Sequence, residues 1–271
     1  MAEEVDATAL SEVAAGVARE AADLARTVRD EAVTDGVDTK STETDVVTTG
    51  DRAVERLVRE RLAELRPGEP VLGEEEGGGG ALEGLRWVVD PIDGTVNYLY
   101  GFPSYAVSLA AQLDGRSVAG AVVEPVSGRV WSAAVGHGAF LNGRPLRVSS
   151  SDRLDLALVG TGFSYGVDRR TAQARVVGDL LGQVRDIRRT GAASLDLCAV
   201  AAGWLDATYE VGLNRWDWAA GALIAQEAGA RLRLPEKGSA DGLGDEMLVC
   251  ATPGIADGLL DALRAAGAGE V

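Results

Sequence analysis

The chain has 271 residues, 46% of them hydrophobic, with 26 Lys and Arg set against 42 Asp and Glu, for a formal net charge of −16. That supplies ample apolar material for a substantial core. The acidic balance argues against direct nucleic-acid binding, because phosphate backbones are met by clustered Lys and Arg, and it leaves any phosphate ligand to be met by metal. The chain starts with Glu3-Glu4 rather than a basic region, and no apolar run reaches membrane-spanning length. We therefore expect a cytoplasmic protein with no membrane partner. The single histidine, His137, removes an HExxH zinc site and leaves no Ser-His-Asp triad with a recognisable nucleophile elbow. Cys198 and Cys250 stand apart in apolar surroundings and are expected to be reduced core thiols.

Taken in order, Leu10, Val13, Ala14, Val17, Ala18, Ala21, Leu24, Ala25 and Val28 recur every three or four residues with charge opposite. The spacing predicts a long amphipathic helix ending near Asp35-Gly36. A polar segment, Thr39 to Asp45, leads through Val46-Val47 to a cap at Thr48 to Asp51. Ala53, Val54, Leu57, Val58, Leu62 and Leu65 then form a second helical face, broken by Arg66-Pro67-Gly68. Taken alone, Asp51 is a helix-start carboxylate. Val71-Leu72 is a short strand before Gly73-Glu74-Glu75-Glu76 and the run Gly77 to Gly80, which by itself reads as a solvated flexible loop.

Trp87 to Val89 reads as the end of a buried strand, and the chain is expected to turn abruptly at Asp90-Pro91. Pro91 holds Asp90 extended, Asp93 follows closely, and two carboxylates converge. Gly94 permits close backbone approach, and Thr95 is suited to open a short helix whose N–H groups could receive a phosphate. Two carboxylates beside an anion-seeking backbone call for divalent cations between them.

Downstream, Ala106 to Gln112, Val118 to Val123 and Val130 to Ala134 are separated by Asp114-Gly115 and Ser127-Gly128 and read as an antiparallel meander, with a further hairpin signal at Phe140 to Arg144. From about Ser149 strands and helices alternate: strand Leu156 to Gly160, helix Ala172 to Leu181, strand Val184 to Ile187, helix Ala193 to Ala202, strand Ala207 to Val211. Trp216 to Ala228 is a helix ended by Gly229, and Pro253 to Ala265 is the last. Asp217, three residues after Asn214, is by itself an acid in the first turn of a capped helix. We divide the chain into an N-terminal α+β subdomain, 1–148, and a C-terminal α/β subdomain, 149–271, with no linker between them.

Asp90-Pro91-Ile92-Asp93-Gly94-Thr95 resembles the signature of the inositol monophosphatase family of metal-dependent, lithium-sensitive phosphatases. Gly73-Glu74-Glu75 upstream and Trp216-Asp217-Trp218-Ala219-Ala220-Gly221 downstream resemble the family's two other motifs, in the same order. The resemblance implies an α+β fold, a layered α-β-α-β-α sandwich, and a Mg²⁺-dependent inositol-1-monophosphatase that activates water with two or three ions. Glu74, Asp90 and the Ile92 carbonyl would hold one Mg²⁺, and Asp90, Asp93 and Asp217 another; Glu75 or Glu76 could replace Glu74. Thr95, hydrogen-bonded to Asp51, would position the attacking water, although a plain helix N-cap has the same geometry. Gly94 and Thr95 would bind the phosphate, Ala193 and Glu210 the inositol ring, and Lys40 either approaches the phosphate or is a solvated lysine. The resemblance also implies a homodimer. Histidinol phosphate, a nucleotide 3′-phosphate or fructose bisphosphate are alternative substrates, the last two calling for an added cation such as Arg188 or Arg189. A protein-binding regulator with a vestigial site is a further alternative.

Overall fold

The computed structural model of the chain describes residues 5–35, 37–40, 46–78, 80 and 82–271. Glu3-Glu4 and the polar stretch 41–45 lie outside the described residues. The first half runs α1 (Ala7–Asp35), β1 (Val37–Thr39), β2 (Val46–Thr48), α2 (Thr49–Leu65), β3 (Val71–Gly73), β4 (Gly77–Gly78), β5 (Leu85–Asp93), α3 (Thr95–Tyr100), β6 (Ala106–Leu113), β7 (Arg116–Val123), β8 (Val130–Ala134), β9 (Gly138–Leu141) and β10 (Arg144–Pro145). The second runs β11 (Leu158–Thr161), α4 (Val167–Leu181), β12 (Asp186–Arg188), α5 (Ala193–Ala201), β13 (Ala207–Val211), α6 (Arg215–Glu227), β14 (Arg231–Arg233), β15 (Met247–Ala251) and α7 (Ala256–Ala265).

Two sheets organise the chain, one of eight strands in the order β10-β9-β8-β7-β6-β5-β3-β4 and one of five in the order β12-β11-β13-β15-β14. The two-residue period of a strand assigns their faces. In β5, Trp87 and Val89 pack with α1 and α2 while Val88, between them, packs with α5 and α6. In β15, Leu248 and Cys250 join the same α5 and α6 core, and Met247, Val249 and Ala251 face α4 and α7. Three cores therefore alternate with two sheets in an α-β-α-β-α sandwich. The middle helices are covered on both sides, and α6 is buried at every position from Trp218 to Ala225, which is why it carries no polar stripe.

Several expectations are corrected. The chain does not turn at Asp90-Pro91: β5 continues to Asp93, with a register shift against β6. Asp90 pairs with Ser108 and Asp93 with Ala106, three residues against two. This is a bulge, and its extra residue lets two carboxylates three positions apart face the same way, which a regular strand forbids. Within the glycine run, Gly77 and Gly78 form a strand paired with Gly73 and Leu72. The strand expected from Leu156 begins at Leu158, after a single 3-10 turn over Leu154–Leu156. The next strand is shifted to Asp186–Arg188, α4 begins five residues early at Val167, and α7 begins at Ala256. In α4 the apolar contacts come late, at Val176 and Leu180, so its exposed first turn carries no periodic signal. Cys198 and Cys250 are buried free thiols, as expected.

Candidate active site

A cleft of about 310 Å³ opens where β5 runs into α3, beside the N-terminal turns of α5 and α6 and the ends of β11 and β13. Lys40, Glu74, Asp90, Ile92, Asp93, Gly94, Thr95, Ala193, Glu210 and Asp217 all line it, and Arg169, Arg189 and Asp196 complete the polar wall. Residues 177 positions apart in sequence are thus brought together at one point between the layers.

Asp90 is 2% exposed, and its Oδ1 is buried with no hydrogen-bond partner. Burial, then the charges of Glu74, Asp93 and Asp217, push its carboxyl well above the usual range. Asp217 is raised for the same reasons, burial first and then Asp93 and Glu74. Asp93 is raised to about 6 by burial, although donors from Ser194 and Ala193 pull the other way. Such repulsion is relieved either by protons kept on the cluster or by positive charge, and a bound divalent cation supplies the latter.

Helix starts and loops fix the individual carboxylates. Asp51 sits in a capping box: its Oδ2 accepts from the Thr48 N–H at 2.7 Å and the Thr48 hydroxyl at 2.6 Å. Asp51 Oδ1 lies 3.3 Å from the Thr95 hydroxyl, which is also 3.1 Å from the Ile92 carbonyl. One hydroxyl proton serves only one of these acceptors at a time. Asp51 is fully buried, and that burial, against the Thr48 bonds, raises it to about 6. Asp217 Oδ2 accepts from the Asn214 N–H at 2.6 Å, leaving its second oxygen free of the helix. The plain N-cap alternative for Thr95 is corrected, because the cap of α3 is Gly94, at φ 91 and ψ 40, with no side-chain capping bond. A Cβ there would lie 3.0 Å from the Ser104 carbonyl oxygen and 3.1 Å from that of Gly191, so close approach excludes a side chain.

Among the three consecutive glutamates, only Glu74 lines the cleft. Lys40 Nζ donates to Glu74 at 2.8 Å and also to Glu75, while Glu76 points outward to Arg59. A residue with no sequence signal holds this loop. Glu55, fully buried on α2, accepts from the N–H groups of Glu75 at 2.7 Å and Glu76 at 3.1 Å and from Arg59. Gly73 is pressed against that carboxylate, since a Cβ there would stand 2.2 Å from Glu55 Oε1.

Glu210 packs its carboxylate on Gly162, where a Cβ would lie 2.1 Å from Glu210 Cδ. Burial, then Asp196 and Asp93, raise Glu210 to about 8. Asp196 also carries no obvious signal in the sequence; it accepts from the Thr190 hydroxyl at 2.6 Å and is raised to about 7 by burial. Arg189 lines the cleft, whereas Arg188 is turned to Asp186 at the surface.

Among the described residues no three acidic or His/Cys side chains already converge at ion-binding distance. Lys40 donates to Glu74, and backbone N–H groups hold oxygens of Asp93 and Asp217. The donor set nevertheless fits a hard divalent cation. It consists of oxygens alone, and Asp90 Oδ1 is a buried acceptor with nothing to accept from. Thr95, with Asp51 behind it, can orient a hydroxyl or water at the same cleft.

A profile described as the inositol monophosphatase family matches residues 6–268. An inositol-1-monophosphatase of Mycobacterium leprae is 56% identical over 234 residues, 83% of this chain and 80% of the relative. The Nus factor SuhB of Escherichia coli K12 is 40% identical over 190 residues, 68% of this chain and 70% of the relative. The solved structure of Mycobacterium tuberculosis SuhB superimposes with a TM-score of 0.83 at 47% identity, covering 98% of this chain and 99% of the other. A match over nearly the whole length, with relatives more than half identical, leads to one conclusion: the chain belongs to the inositol monophosphatase family and is a phosphatase.

Proposed function

We propose that the chain is a Mg²⁺-dependent hydrolase of inositol 1-phosphate, releasing myo-inositol and phosphate. The observation that carries the metal dependence is Asp90, a buried carboxylate with one unpartnered oxygen, set among three further carboxylates that line the same cleft. Glu74, Asp90 and the Ile92 carbonyl would hold one ion, and Asp90, Asp93 and Asp217 another, within a total of two or three. Mg²⁺ bound there supplies positive charge to the phosphate and the departing alkoxide and lowers the pKa of water.

The chain's own groups do the rest. When the Thr95 hydroxyl donates inward to Asp51, its lone pairs turn to the cleft and can accept a proton from the attacking water. Asp51 serves as acceptor once ionised, and in the metal-free chain burial holds it up to about 6. The first N–H groups of α3, from Gly94 and Thr95, lack helical acceptors and can hold phosphate oxygens in line. Glu210 and the Ala193 edge of α5 line the side of the cleft where the alcohol would sit. Lys40, on the cleft wall beside Glu74 and Glu75, would meet a phosphate oxygen from that side.

The names of the relatives favour inositol 1-phosphate. Arg189 on the cleft wall keeps an ester with a second anionic group, a nucleotide 3′-phosphate or a sugar bisphosphate, as the second substrate reading. The relatives named Nus factor keep a protein-binding regulator as a second class. The homodimer implied by the resemblance is proposed on the same footing, and light scattering tests it. Among the described residues no helix is long and apolar enough to cross a membrane.

The test is phosphate release from inositol 1-phosphate, histidinol phosphate, a nucleotide 3′-phosphate and fructose bisphosphate by EDTA-treated protein, before and after Mg²⁺. The reading expects activity only with Mg²⁺, greatest on the inositol ester and inhibited by millimolar Li⁺. Turnover indifferent to EDTA would overturn it, and no turnover on any ester would favour the regulator.

A further inference from the structure

Asp93 is held more completely than the other acidic residues of the cleft. Its Oδ1 accepts from the Ala193 N–H at 3.1 Å, and its Oδ2 accepts from the Ser194 N–H at 2.7 Å and from the Ser194 hydroxyl. Ser194 is 0% exposed and Asp93 8%, so water cannot exchange freely for these bonds. A carboxylate oxygen has two in-plane lone-pair positions. On Oδ2 both are taken; on Oδ1 one remains, and Asp93 lines the cleft.

The backbone donors come with the start of α5 and would satisfy any side chain reaching it. The hydroxyl is different, because it is the choice of one residue, and it fills the last position on Oδ2. Without it, one lone-pair position on each oxygen is open to a cation; with it, only Oδ1 keeps one. Mg²⁺ demands near-octahedral geometry with single oxygens at 2.0–2.1 Å, whereas Ca²⁺ accepts more ligands at longer range and commonly takes carboxylates through both oxygens.

Resting on the reading of Asp93 as a metal ligand, we propose that Ser194 is a positioning residue that restricts Asp93 to one-oxygen coordination through Oδ1 and so disfavours Ca²⁺ relative to Mg²⁺ in this cleft. The hydroxyl acts only through Asp93. Its effect falls on which ion is bound rather than on the chemistry that follows.

The experiment is calorimetric titration of the EDTA-stripped full chain with MgCl₂ and separately with CaCl₂, for wild type, Ser194→Ala and Ser194→Cys. Cysteine keeps the side-chain volume while donating only weakly, so it separates the hydrogen bond from packing in a fully buried site. Both variants are expected to raise the Ca²⁺-to-Mg²⁺ affinity ratio by about fivefold, the equivalent of one net hydrogen bond, with the metal-free melting temperature of Ser194→Cys near that of wild type. An unchanged ratio in variants that still bind Mg²⁺ overturns the proposal and leaves the metal reading standing. Equal losses of both ions with a lowered melting temperature also overturn it, by showing that Ser194 only supports packing. A wild type that binds neither ion refutes the metal reading itself.

Discussion

Asp51 and Asp217 each spend one oxygen on holding a helix start, at Thr48 and Asn214, and keep the other free of it. In the sequence, Thr48 to Asp51 and Asn214 to Asp217 are both ordinary capping patterns, and no property of either stretch distinguishes a cap from a cap with a second use. The distinction comes from what packs opposite: α3 brings Thr95 to Asp51, and the cleft opens beside Asp217. Glu210 was legible only through the family resemblance, since Gly162, which makes room for it, lies 48 positions away. If Glu210 accepts hydrogen bonds from ring hydroxyls, Glu210→Ala assayed above about pH 8, where the carboxylate is ionised, should lower kcat/KM for inositol 1-phosphate by about ten- to a hundredfold, the range of one charge-assisted hydrogen bond, and spare glycerol 2-phosphate. Equal losses on both esters would instead mean a structural role.

The same residue sets a pH dependence. Its carboxyl is raised from 4.5 to about 8, so the folded chain keeps a proton that the unfolded chain loses. The resulting stabilisation is complete below pH 4.5 and is lost as pH rises through about 8. The melting temperature of the metal-free protein should therefore fall across that window, and Glu210→Gln should flatten the fall. Parallel curves for the two proteins would contradict the assignment.

At the scale of elements, the Asp90 to Asp93 segment shows what a pattern can and cannot convey. The apolar run Trp87 to Val89 identified the strand, but Pro91 reads equally as a corner or as a bulge, and only the pairing with β6 selects the bulge. The meander from Ala106 to Ala134 was legible because each strand is bounded by turn residues. The strand β15, an interior strand of the second sheet, carries no signal of its own: Met247 to Ala251 is a short continuous apolar run with no alternation, because both of its faces are buried.

The loop carrying Glu74 was legible as acidic and glycine-rich, which points to solvent, yet Glu55 clamps it from beneath. Gly73→Ala tests the clamp. The added methyl displaces the Glu55 carboxylate and leaves the Glu75 and Glu76 N–H groups without an acceptor, which should cost about 1–3 kcal/mol of stability. Mg²⁺ activation should shift to higher concentration as Glu74 loses its support. A lowered melting temperature with unchanged Mg²⁺ dependence would show that the clamp does not position Glu74.

For the whole molecule, the three-core sandwich explains why the acidic cluster can exist. Strand β5 of one sheet delivers Asp90 and Asp93, the adjoining loop delivers Glu74, and α6, packed between the sheets, delivers Asp217. Each element is fixed by its own core, so the carboxylates are held together by packing energy rather than by mutual attraction, and the like charge is relieved when a cation binds. Removing the most buried carboxylate of this cluster, Asp90, should therefore abolish function without harming the fold. The measurement is phosphate release from inositol 1-phosphate at saturating Mg²⁺, alongside melting in EDTA, for wild type and Asp90→Asn. The account predicts turnover below about one-hundredth of wild type, because a neutral amide is a poor ligand for a hard cation, with a metal-free melting temperature equal to or above that of wild type. An Asp90→Asn protein that kept more than about a tenth of wild-type turnover would contradict it, because a residue ligating both ions cannot be dispensable.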